Sequence, residues 1–321
     1  MLKRTLLTLA LLVAGCGAPS LLITPVTRQT GLEEIEVARG RRNAKVVVIP
    51  IEGLLANARA PGLLEPGDNK IDLLTQQLDR AARDPAVRAI VLRINSPGGT
   101  VTGSENMYEL LRRFRSQSGK PIVASVQEVG ASGGYYVALA ADHVVATPTS
   151  VVGSIGVIFN ALSFEGGLNK LGIKSEVVKS GPMKDMASPF KDMSADERKV
   201  MQQTVDEYFA RFRATVADRR RLTDEPAIAR VSDGRVFSGA QAKELGLVDE
   251  LGILEDAIDA ARKLGDAAGG RAVMYRKPFG PGGSIYASAD APQPQAGTTL
   301  QLPIPTSDMS LPTGFYYLWR R

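Results

Sequence analysis

The sequence holds one histidine, one cysteine and one tryptophan in 321 residues. A single histidine and a single cysteine exclude any zinc site built from several His or Cys ligands. Lone Cys16 also rules out an intrachain disulfide. The net charge of +5 is spread along the chain. No lysine–arginine run is long enough to form a nucleic-acid stripe, so no nucleic-acid partner is expected. The apolar run at residues 6–13 is too short to cross a bilayer as a helix. Nothing in the sequence calls for a metal or an organic cofactor.

What is present begins with a leader. Lys3 and Arg4 precede that apolar run, and Val13-Ala14-Gly15-Cys16 closes it. This is a secretory pattern, and small residues directly before a cysteine resemble the bacterial lipobox. The resemblance implies that residues 1–15 are removed and that Cys16 carries lipid, which also caps an otherwise exposed thiol. The chain is then expected in the bacterial cell envelope, outside the cytoplasm, held to a membrane by its lipid. Residues 16–44 are polar, with scattered proline and glycine, and read as a tether.

A folded domain is expected over 45–277. Residues 45–51 form a continuous apolar run suited to a strand buried on both faces. Residues 71–82 have helical periodicity, 89–94 are strand-like, 105–114 helical, and 121–126 and 144–146 strand-like again. Strands alternating with helices at this spacing mean an α/β domain with largely parallel pairing. Ser194, with Glu197 in capping-box position, starts a long helix over 194–222 whose Met201, Val205, Tyr208, Phe212 and Val216 share a stripe. A last helix is expected over Leu254–Leu264. Residues 278–321 are a Pro/Gly-rich linker ending in an aromatic and basic tail, suited to a groove or to a membrane interface.

The candidate chemistry lies in two glycine-rich turns where a strand hands over to a helix. In Ala131-Ser132-Gly133-Gly134, the turn would expose the Ser132 hydroxyl, and the Gly133 N–H would face a developing oxyanion. In Ser96-Pro97-Gly98-Gly99, Gly99 offers a second unhindered N–H. His143 reads as a polar residue at a strand entrance rather than as a base. A lysine is the remaining base, and it must be neutral to act, which burial beside a hydroxyl favours. Lys184, flanked by Met183 and Met186, and Lys179, at the end of a strand through Val177-Val178, are the two candidates.

These turns, with Val152-Gly153-Ser154-Ile155-Gly156-Val157, the segment Lys179 to Phe190 and the later Gly246-Leu247-Val248-Asp249, resemble the signal peptide peptidase A family over residues 45–264. The resemblance implies a Clp protease/crotonase-type α/β fold of repeated β-β-α units and a serine endopeptidase with a Ser–Lys dyad. Ser132 matches the nucleophile, Lys184 the base, Ser154 the hydroxyl that holds the lysine amine, and Gly99 and Gly133 the oxyanion donors. It also implies unfolded or membrane-associated peptide substrates such as cleaved signal peptides, and a homo-oligomeric ring whose sites are completed between subunits. A non-catalytic scaffold lipoprotein and a crotonase-type acyl-CoA enzyme are the alternatives on the same fold.

Overall fold

The computed structural model describes residues 31–58, 69–277 and 313–319. The leader, Cys16 and residues 59–68, 278–312 and 320–321 lie outside the described residues, as does the tether up to residue 30.

Strand β1 (Glu33–Ala38) is followed by β2 (Arg42–Glu52), helix α1 (Lys70–Arg83), β3 (Val87–Ser96), β4 (Gly98–Thr100) and α2 (Val101–Ser118). Next come β5 (Ile122–Ala131), α3 (Gly133–Ala138), β6 (His143–Ala146), β7 (Val151–Gly153), β8 (Ile158–Asn160) and α4 (Glu165–Lys170). The chain continues with α5 (Ala195–Arg220), α6 (Glu225–Val231), β9 (Val236–Ser238), α7 (Gly239–Glu244), β10 (Glu250–Leu251), α8 (Leu254–Leu264), β11 (Gly270–Arg276) and β12 (Gly314–Leu318).

The main sheet runs β1-β11-β2-β3-β5-β6-β10, with β7 beside β5 and β9 beside β7. Strands β11, β2, β3, β5, β6 and β10 are parallel, and among the described residues of this sheet only the pairs β1–β11 and β7–β9 are antiparallel. The central strands are apolar at nearly every position because both faces are covered. Val47, Ile49, Ile90, Leu92 and Ala124 face α1, α2, α3 and α5, whereas Val46, Val48, Ala89, Val91 and Val123 face α8. Each fully buried aliphatic side chain contributes about 1.5–3 kcal/mol.

Two expectations need correction. Residues 33–44, read as tether, instead supply β1 and the start of β2. The alternation of Ile35 and Val37 is hidden by acidic neighbours, yet both pack on the core, while Glu34 pairs with Lys45 at 2.9 Å. No strand forms through Val177 and Val178, which are exposed and find no edge to pair with.

The long helix begins at Ser194 with the expected capping box, and its far end is tied down by charge. Arg220 donates to both oxygens of Asp249 at 2.7 and 3.0 Å, and the Val144 N–H donates to the same carboxylate at 2.8 Å. Burial pushes the Asp249 carboxyl up, but Arg220 and the Val144 amide outweigh it and hold it below the usual range. Its stabilisation is therefore present above the unfolded carboxyl value of about 3.9 and is lost as pH falls through the lower folded value. Asp249→Asn should lower the denaturation midpoint at pH 7, and the gap from wild type should narrow progressively as pH falls below the unfolded carboxyl value of about 3.9. A gap constant with pH would assign the effect to packing instead.

Candidate active site

The site forms where β5 ends. Ser132 follows that strand with φ 51° and ψ −116°, a conformation that side chains rarely adopt, and α3 starts at the next residue. Such strain persists only where the surroundings fix it. Here the Ser132 N–H donates to Gly153 O at 2.7 Å, and Ser132 O accepts from the Tyr136 N–H at 2.8 Å. The helix behind is wholly buried, and the Tyr135 hydroxyl donates to Leu247 O at 2.7 Å. Burial raises the Tyr135 phenol well above its ordinary value, so it stays a neutral donor. Ser132 itself is 1% exposed, and its hydroxyl makes no hydrogen bond among the described residues.

Parallel pairing of β5 with β7 aligns Ala131 with Gly153. Ser132 and Ser154 are thus the next residues on two adjacent strands, and both have φ near 50°. Ser154 is buried, with its N–H held by Arg235 O at 2.7 Å.

The second glycine turn lies alongside. The Ser96 hydroxyl donates to Gly53 O at 2.7 Å and accepts from the Gly98 N–H at 3.1 Å, fixing the chain reversal. Only glycine fits at Gly99, where a Cβ would lie 1.8 Å from Leu55 O. At Gly133 a Cβ would meet Ser104 Oγ at 2.3 Å and the Gly98 Cα at 3.1 Å, so the two turns touch. Leu55, Ser96 and Ser104 were not singled out in the sequence. Ser96 had a readable signal, a serine two residues before a glycine in a turn.

One chain brings together Ser132, Ser154, Gly99 and Gly133, but not Lys184. That lysine is exposed in a turn after Gly181, without a side-chain hydrogen bond among the described residues. The expected apolar pocket around it is absent within the chain, because no residue between Ile155 and Glu197 is buried. Lys179 is taken up in stapling this loop, donating to Asp185 at 2.7 Å and to Pro182 O at 3.1 Å. Hydrogen bonds from Lys179 and Lys191 bring the Asp185 carboxyl down to about 2. His143 bonds Glu250 at 2.9 Å and pairs with Val123 near the start of β5, far from Ser132 at its other end. At about 3.3 Å per residue, the length of that strand separates them. Among the described residues no group of acidic, His and Cys side chains could hold a metal ion.

Residues 114–268 match the model of peptidase family S49. A candidate signal peptide peptidase SppA of Enterococcus faecium is 35% identical over 232 residues, covering 72% of this chain and 67% of that protein. A candidate protease of Methanocaldococcus jannaschii is 32% identical over 270 residues, 84% of each chain. Protease 4 of Salmonella typhi is 39% identical over 199 residues, 62% of this chain and 32% of that longer protein. With its largely parallel sheet and glycine turns, the chain belongs to the signal peptide peptidase A family of S49 serine proteases, on the Clp protease/crotonase-type fold.

Proposed function

We propose that the protein is an endopeptidase in which Ser132 attacks the scissile carbonyl and Lys184 of a neighbouring copy is the general base. One observation carries this reading: a complete serine site and an unpacked lysine-bearing arm occur in the same chain. The arm exposes Phe164, Leu171, Ile173, Val177, Val178 and Phe190. An apolar surface of this kind is expected to be covered by another molecule. A head-to-tail ring would cover it and would bury Lys184 beside Ser132 and Ser154.

In that setting the lysine is desolvated and neutral. It takes the Ser132 proton as the hydroxyl oxygen bonds to the peptide carbon, then returns it to the departing amine. Gly99 and Gly133 stabilise the oxyanion, and Ser154 orients the amine. Water, deprotonated by the same lysine, then releases the acyl group and restores Ser132. The substrates are unfolded or membrane-associated peptides, cleaved signal peptides among them. They bind as an added strand, which supplies main-chain hydrogen bonds and leaves side chains to select.

Reaction with a fluorophosphonate tests the chemistry. The adduct should map to Ser132, and Ser132→Ala should abolish it. If neither the folded wild type nor a folded chain ending at residue 312 is labelled, a scaffold lipoprotein is favoured, and an adduct elsewhere would move the nucleophile. Among the described residues no helix is long and apolar enough to cross a membrane. We place the membrane attachment at lipidated Cys16. Two or more acyl chains hold a protein stably, so Cys16→Ala should shift the enzyme out of the membrane fraction. Retention there would reject the anchor.

A further inference from the structure

Strand β12, from the aromatic C-terminal tail, lies antiparallel between β4 and β8 and is, among the described residues, the only strand joining them. Without it these strands border a slot one strand wide. The Trp319 N–H donates to Pro97 O at 2.8 Å. Opposed residues in an antiparallel ladder alternate between hydrogen-bonded and non-bonded pairs. Tyr317, opposite Gly99, is therefore in the next bonded pair, with its carbonyl facing the Gly99 N–H. A Cβ on Gly98 would lie 2.0 Å from Tyr317 O and 2.7 Å from Gly133 N, and one on Gly133 would lie 3.0 Å from that same oxygen. The Gly99 amide thus faces one carbonyl and the Gly133 amide lies close to the same oxygen, which belongs to the protein's own tail.

The side chains follow the same register. Tyr317 is 1% exposed, with ring centroids of Phe212 and Tyr136 at 4.7 and 5.3 Å, and its hydroxyl donates to Tyr208 O at 2.9 Å. Two residues back, on the same face of the strand, Phe315 packs on Phe159 and Tyr208 at 4.8 and 5.4 Å. A strand that merely closed the fold would have no reason to place a carbonyl between the N–H groups that flank Ser132. A bound substrate would have to place one there.

Resting on the assignment of Ser132 as nucleophile, we propose that β12 occupies the substrate slot in a substrate's register, as a tethered competitor. Tyr317 fills the pocket for the residue preceding the cleaved bond, so the preferred substrates are extended segments with an aromatic side chain there. Access to Ser132 requires the tail to leave.

The test compares the full enzyme with its Tyr317→Ala variant and with a chain ending at residue 312, using a fluorogenic peptide with Tyr before the cleaved bond. A tethered strand competes at an effective concentration on the order of mM. Both altered forms should show KM lowered at least about tenfold with kcat unchanged, the signature of a lost competitor. A synthetic peptide of residues 313–321 should inhibit the truncated enzyme competitively. The same peptide with Ala in place of Tyr317 should be at least about tenfold weaker, since a buried aromatic anchor carries much of the affinity of such a contact. Unchanged KM in both forms, or equal inhibition by the two peptides, would overturn the proposal. Melting curves identify a truncated chain that does not fold, and Tyr317→Ala then decides. Dye-labelled 313–321 peptide should bind truncated Ser132→Ala but not full-length Ser132→Ala. That arm needs no catalysis, so a wrong nucleophile shows as activity retained in Ser132→Ala, and a wrong tail as no binding.

Discussion

Ser132→Ala and Lys184→Ala proteins, each inactive alone, should recover about a quarter of wild-type activity when mixed equally after dissociation and reassembled. A working site needs its serine from a Lys184→Ala subunit and its lysine from a Ser132→Ala neighbour, each present with even odds. The expectation rests on the arm between Ile155 and Glu197, which buries none of its residues and leaves Lys184 exposed. If both groups came from one chain, every subunit would lack one of them and mixing would restore nothing. Background activity after confirmed subunit exchange would reject the shared site and leave the serine assignment standing.

Ser132→Gly should separate function from stability. Loss of the nucleophile should lower kcat by at least about 10⁴-fold, the scale on which removal of a single catalytic group acts. The same change should raise the melting temperature above that of Ser132→Ala. At φ 51° and ψ −116° a side chain is strained and glycine is not, and such strain costs about 1–3 kcal/mol. Glycine gives back about 0.5–1 kcal/mol through the greater freedom of its unfolded chain. The net gain then lies between about zero and about 2.5 kcal/mol. Equal melting temperatures for the Gly and Ala variants would hold the strain at this turn to no more than about 1 kcal/mol, the amount that glycine gives back.

The two expectations draw on different kinds of information. The turns that hold Ser132, Gly99 and Gly133 were legible because a tight strand-to-helix reversal demands glycine, so local sterics write the turns into the residue order, whereas the roles proposed for these residues rest on the family resemblance. The capping box at Ser194 and the apolar strands through Val47 and Leu92 were legible for the same reason. Strand β1 was not, because Glu33, Glu34 and Glu36 look solvated until Arg276, Lys45 and Arg271 arrive from distant positions to pair with them.

The sequence alone determined the α/β alternation, the two glycine turns and, through the scarcity of histidine and cysteine, the exclusion of multi-histidine zinc chemistry. Each of these depends on neighbours within a few residues, or on counting. Only the tertiary structure decided that Ser154 stands beside Ser132, that Lys184 does not, and that the aromatic tail enters a groove. Those facts are set by strand register between β5 and β7, by the lack of a packing partner for the arm, and by the open edges of β4 and β8. Register and edge pairing are long-range choices, fixed by which strands meet in space, and residue order alone does not carry them.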